Sequence, residues 1–216
     1  MEDFSHLEPL EKLFLARNRL GMLSNVLVEV IKLNEQKKAF VTSRLYKSVQ
    51  GHEAGELLLE TMVHYEIAQI CRLWDDFDPT GFSLPTMASL LRGAEVRNLL
   101  STADTDIIVN LRPNHEEFLA AAFDPAVEEA TIASETHQIK RIKNYRNKFI
   151  AHPIYRTRQE LKSKIEIVRP DDIEYAVENA FRIVQVFETA LSLTPSDYLR
   201  VRIEFSRVVE AFYEAL

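Results

Sequence analysis

Residues 53–75 place the tightest limit on what this chain can fold into. Leu59, Val63, Ile67, Ile70 and Trp74 recur there at spacings of four, four, three and four. That rhythm is one face of a helix, and no alternating strand pattern fits it. A stripe of this kind has to be buried against other helices, so the segment reads as the central helix of a helical core. The rest of the chain agrees: five Gly and eight Pro in 216 residues leave few breaks, and the other apolar runs also have helical spacing. The one sizeable strand-like run, Ile165-Glu166-Ile167-Val168, is short. The fold class expected is all-α, as one α-helical domain over residues 1–216 with 1–50 as a candidate helical extension.

Local signals divide the remainder. Residues 7–33 carry Leu13, Leu20, Leu23, Leu27, Val30 and Ile31 on one face and read as a first helix, with a second piece over 36–49. Pro79-Thr80-Gly81 is a turn, after which Ser83 caps and Pro85 opens the first of two short helices over 83–101, broken near Gly93. The run Ile107-Ile108-Val109 has no assigned conformation. A helix begins at Asn114 and ends before Asp124, where Asp124 as N-cap and Pro125 at the first position start another over 124–152. Pro153 ends that helix, because the residue before a proline is pushed out of the α region. Residues 154–170 form a connection, Arg169-Pro170-Asp171 opens the next helix, and Thr194-Pro195-Ser196-Asp197 resembles a capping box before the last.

Several function classes are excluded at this level. Cys71 is the single cysteine, so one chain has neither a disulfide framework nor a cysteine-based zinc site. The acidic start MEDFSHLEPLEK lacks a basic n-region and apolar core, and no apolar run approaches transmembrane length. A cytoplasmic protein with no membrane partner is expected. Glu60 and His64 lie one turn apart, but no second His/carboxylate pair completes a metal site, and Asp75, Asp76 and Asp78 lack the closing Glu of a calcium loop. No metal and no cofactor is expected.

The charge distribution points to one stretch. Residues 136–159 hold Lys140, Arg141, Lys143, Arg146, Lys148, Arg156 and Arg158, two histidines, and no Asp or Glu. Seven of the chain's 26 Lys/Arg lie in this window, which leaves 19 against 33 Asp/Glu elsewhere. A positive island in an acidic protein suits an anion. Ile139, Ile142 and Phe149 form a helical stripe, and Arg146 falls in it where an apolar residue is expected. His152 stands six residues beyond Arg146, and Pro153 would free it to turn back toward that side chain. Plainer readings stand beside this one: Arg146 as a buried ion-pair partner, and His152, Lys140, Arg141 and Lys143 as cations favoured by a helix C-terminus.

Tyr145-Arg146-Asn147-Lys148-Phe149-Ile150-Ala151-His152-Pro153 resembles the signature of HEPN domains, whose hallmark is an Arg, usually a polar residue next, and a His after four to six residues. Here five intervene. Arg72-Leu73-Trp74-Asp75 followed by Ser83-Leu84 resembles the abortive-infection, AbiU-type branch of that family, over most of the chain. The resemblance implies a HEPN-like helical bundle with additional helices, paired motifs across a two-fold homodimer, and a role in phage defence or as a toxin-like ribonuclease. An antitoxin or other regulatory partner is a further candidate.

The residues themselves suit cleavage of RNA without a metal, since the 2′-hydroxyl is a built-in nucleophile. The expected roles are general acid or base for His152, phosphate stabilisation for Arg146, and orientation of the His or the phosphate for Asn147. Lys140, Arg141, Lys143, Lys148, Arg156 and Arg158 would bind the RNA backbone. Tyr155 and Tyr145 could stack on unpaired bases, with core packing the alternative for Tyr145. One His does not readily serve both sides of a phosphorus, which a two-fold dimer remedies. The same basic surface equally fits a non-catalytic module that binds RNA, nucleotide or protein, and a dipole-complemented structural helix remains a third reading.

Overall fold

The computed structural model describes residues 4–48, 52–102, 115–150, 166–191, 193 and 195–215. Its described residues form helices and their connections, with no strand among them, and residues 166–168 lie in an irregular segment. The longest helix, α1 (Pro9–Thr42), packs against six of the other described helices, and α2 (Arg44–Lys47) turns off its end. A single α1 replaces the two pieces expected over 7–33 and 36–49. Polar residues near that boundary are bonded inward: Asn34 Nδ2 donates to Glu66 Oε1 at 2.9 Å, and Lys37 pairs with the same buried carboxylate. Nothing there has to leave the helix to find a partner. α1 stops at Ser43, in extended backbone, whose hydroxyl accepts from Tyr46 N at 3.2 Å and so caps α2.

The central helix α3 (His52–Trp74) follows the predicted bounds, with Ile67, Ile70 and Trp74 in the core and Leu59 and Val63 partly buried. Its far half is enclosed more widely than one stripe, since Cys71 and Leu73 are also buried. Trp74 Nε1 donates to Ala176 O at 3.1 Å, which ties the end of α3 to α9 (Pro170–Ala190). The pair α4 (Leu84–Leu91) and α5 (Ala94–Ser101) breaks at Gly93, whose φ of 131° is a conformation L side chains rarely adopt. Ser83 Oγ accepts from Thr86 N at 3.4 Å, and Pro85 sits in the first turn, as the sequence predicts. Residues 105–113 lie outside the described residues, apart from any account of their fold.

The next segment departs from expectation. α6 (His115–Phe118) does not end before Asp124; it passes through a π-helical turn, Leu119–Phe123, into α7 (Asp124–Ile132), and Asp124 itself has helical φ and ψ of −59° and −45°. Asp124 is therefore no N-cap. Pro125 can donate no hydrogen bond and its ring crowds the carbonyl four residues back, and the wider π turn just ahead of it accommodates that within a continuous helix. Asp124 accepts from Arg97 Nε at 3.2 Å instead. The real break comes after a 3₁₀ turn, Ala133–Glu135, where Thr136 is extended with ψ 153°. The helix expected over 124–152 is thus two, and its second part is α8 (His137–Tyr145), continued by a π-helical turn, Arg146–Ile150.

α9 opens at Arg169 as predicted, with Asp172 Oδ2 accepting from Arg169 N at 2.8 Å. The last helix, α10 (Tyr198–Glu214), lies along α1. Its cap is Asp197, which accepts from Arg200 N at 2.9 Å, so the proposed box on Thr194 does not start it; Thr194 lies outside the described residues. Ser196 is drawn elsewhere. Buried Glu188 of α9 accepts from Ser196 N, Ser196 Oγ and Ser24 Oγ, each at 2.8 Å, and from Tyr198 Oη at 3.2 Å. Burial pushes the Tyr198 hydroxyl up to about 12, so it remains a donor to this carboxylate. One anion thereby joins α1, α9 and the approach to α10. Changing Glu188 to Gln puts an amide N–H against donors, and the expected loss is about 3 kcal/mol. Urea unfolding checks this as a lower midpoint at unchanged slope.

Candidate functional site

α8 forms because Ile139 and Ile142 bury one face while His137, Lys140, Arg141 and Lys143 occupy the others. The break at Thr136 changes their electrostatics. Lys140 and Arg141 now stand near the N-terminus of a short helix, whose partial charge is positive, and the first turn contains no acid. The C-terminal dipole therefore does not explain them. Their charge is offset by carboxylates, Glu135 nearby for Lys140 and Glu166 and Asp172 from further along the chain for Arg141.

Five carboxylates face the cations of α8 and its π turn. Lys140 Nζ meets Glu135 Oε2 at 2.7 Å, with both side chains well exposed. Arg141 is 9% exposed and held from several sides: Nη1 donates to both oxygens of buried Asp172 at 2.8 Å, and Nε donates to Glu166 Oε2 at 2.9 Å. His137 Nδ1 lies 2.8 Å from Arg141 Nη2, and its Nε2 lies 3.2 Å from Glu166 Oε2. The hydrogen bond from Arg141 holds the Glu166 carboxyl below its ordinary range. Lys143 Nζ meets Asp76 Oδ1 at 2.6 Å, and Arg146 Nη1 donates to Asp75 Oδ1 at 2.6 Å. The window free of acids in sequence is ringed by them in space.

Arg146 is half-buried at the start of the π turn, and Asn147 Oδ1 accepts from its Nε at 3.1 Å while Asp75 takes Nη1. Two acceptors on two nitrogens fix the plane of the guanidinium. Asn147 is exposed and Lys148 half-buried on the same turn. Tyr145 packs partly against the core, its hydroxyl 3.2 Å from His64 Nε2, and burial raises its pKa above the ordinary value. This is the core-side alternative. His152, Tyr155, Arg156 and Arg158 lie outside the described residues, as does Pro153.

Other reactive groups are placed as scaffold. Burial pushes the Cys71 thiol up to about 12, which keeps it protonated near neutrality and without nucleophilic character. Glu60 Oε1 and His64 Nε2 are 3.9 Å apart, and among the described residues no three His, Cys, Asp or Glu side chains come together as metal ligands. Arg72 stacks over the Phe82 ring at 5.3 Å. Nothing in the sequence around Asp75 and Asp76, just past the end of α3, foretells their contacts with Arg146 and Lys143. The available signal was an Arg in an apolar stripe, which needs a buried or half-buried anion.

A bundle of helices carrying Arg-Asn at the end of a short helix, with a His six positions after the Arg in sequence, has the features of a HEPN domain. Over residues 20–212 the chain matches the family model HEPN_AbiU2, described as AbiU2, and it belongs to that family. It is thus an all-α HEPN domain of the abortive-infection type. No curated protein and no solved structure matches it. Among the described residues, no helix is long and apolar enough to cross a membrane.

Proposed function

We propose that the protein is a metal-independent endoribonuclease of the HEPN type that acts in phage defence or as a toxin. Arg146 binds and stabilises the scissile phosphate, Asn147 orients it, and His152 moves the proton at the 2′-hydroxyl or the leaving oxygen. The observation that carries this reading is the Arg146 guanidinium, fixed in plane by Asn147 and Asp75 yet 26% exposed. A guanidinium set to face an oxyanion differs from one spent wholly on structure, and Arg141, 9% exposed and bonded to Asp172 and Glu166, shows the second case within the same helix. The test is incubation of purified protein with single-stranded RNA in excess chelator. Fragments ending in a 2′,3′-cyclic phosphate are expected, because the internal hydroxyl attacks with no metal-bound water. Cleavage that starts only on adding a divalent cation would overturn the mechanism.

The working unit in this proposal is a homodimer, which supplies a second His152 across a two-fold axis. α3, against which the motif turn packs, exposes Leu57, Leu58 and Tyr65, apolar surface of the kind an isologous contact covers. Light scattering at micromolar concentration should give twice the mass of one chain. A strict monomer would remove this part of the proposal.

A further inference from the structure

Lys143 and Arg146 are three residues apart, one helical step that places their side chains as neighbours on one edge of the motif. In the RNA-free protein each holds one carboxylate of the Asp75-Asp76 pair. The two contacts are unequal. Asp75 is 43% exposed and meets a guanidinium already fixed by Asn147, whereas Asp76 is 83% exposed and its bonded partner is Lys143, whose own side chain is only 14% exposed. The Lys143 side chain is mostly packed, and the carboxylate bonded to its ammonium is solvated. The flanking backbone is fastened: Trp74 is bonded to Ala176 O, and Asp78 N donates to Thr86 Oγ1 at 3.1 Å. The Asp76 side chain, 83% exposed, can turn into solvent without any change in that backbone.

We propose that Lys143 is a phosphate subsite next to Arg146 that Asp76 masks in the free protein, and that RNA opens it by displacing this one carboxylate while Asp75 stays on Arg146. The proposal rests on the ribonuclease reading for its ligand. Its physical basis is a contest of anions for one cation. The pair contributes little net stability, since the Asp76 carboxylate is well hydrated when parted from the lysine. An RNA phosphate arrives with its neighbour already engaged on Arg146, so its local concentration at Lys143 is high. It also releases condensed counterions, which the carboxylate cannot do. Asp75 does not yield in the same way, because losing it frees the guanidinium from its set plane.

The experiment uses the full chain and a fluorescein-labelled single-stranded RNA with 2′-O-methyl groups, which binds but lacks the attacking hydroxyl. Asp76→Asn should tighten binding by roughly 1.5- to 5-fold, the range of an exposed ion pair. On a Lys143→Met background the same change should give no tightening, so the double-mutant cycle shows coupling between positions 76 and 143. Asp75→Asn should leave affinity within about 2-fold of the parent, less than the Asp76 effect at its upper range, and should slow cleavage of unmodified RNA at saturating concentration. Asp76→Asn that binds no tighter than the parent would overturn the masking, as would tightening that persists without Lys143. The catalytic reading fails separately: RNA that is bound through Lys143 and never cut would sink that reading and leave the masked subsite standing.

Discussion

His152→Ala should lower the rate of RNA cleavage by at least about 10²-fold while the protein keeps its helical circular dichroism. The factor is the ordinary worth of a positioned acid or base in proton transfer. The effect should appear in the chemical step at saturating RNA, since the imidazole moves a proton and the cations hold the strand. Affinity for a 2′-O-methyl RNA should therefore change little. Chelator should leave the wild-type rate as it is. A variant that cuts RNA at the parental rate would show that the proton is moved by another group, and the half-buried His64, hydrogen-bonded to Tyr145 Oη at 3.2 Å, would then be the first to substitute. In a two-fold dimer the loss also has a diagnostic form. If the two histidines serve one phosphate, mixed dimers with a single His152→Ala chain should lose far more than half of the activity.

The sequence was most informative where a local signal decides local structure. α3 is legible from its stripe, the α4–α5 break from Gly93, and the start of α9 from Arg169-Pro170-Asp171, because each depends on neighbours in the chain. The misread points all turn on a partner far away in sequence. The boundary read between 33 and 36 falls inside one helix, where buried Glu66 holds Asn34 and Lys37. Ser196 looks like part of a cap until Glu188 takes it. Asp124-Pro125 has the chemistry of a helix start, yet the helix before it continues through a π turn that accommodates the proline, with Phe123 and Val127 on either side of it buried in the core.

The site divides along the same line. Arg146 and Asn147 are adjacent and were legible as a pair, and so was the strangeness of an Arg in an apolar stripe. Its partner Asp75 is 71 positions away and that of Lys143 is 67 away, so no window of sequence shows that the positive stretch is ringed by acids. Membership of the family fixes the class of domain over residues 20–212. What each cation does in it follows from exposure and partners: Arg141 closes on Asp172 beneath the surface, whereas Arg146 reaches its edge.

Arg146→Ala should cost about 3 to 4 kcal/mol of transition-state stabilisation, a rate loss of roughly 10²- to 10³-fold, because a preorganised donor is removed from the place where phosphate charge develops. Arg146→Lys should rescue little of it. An ammonium is a point charge that cannot keep one nitrogen on Asn147 and another on Asp75 while facing a phosphate, so the geometry is lost although the charge remains. The same two variants should barely move stability. Asp75, 43% exposed, hydrates when its partner leaves, and a half-exposed pair of this kind is worth at most about 1 kcal/mol. Urea midpoints near the parental value alongside a rate loss of this size would place Arg146 in the chemistry and not in the scaffold. The opposite pattern, a lowered midpoint with cleavage intact, would make Arg146 a structural ion pair like Arg141. For Arg141→Lys itself the expected signs are reversed: the lysine cannot reproduce the two-sided hold on Asp172 and Glu166, so the fold weakens, while RNA cleavage per folded molecule stays near the parental rate.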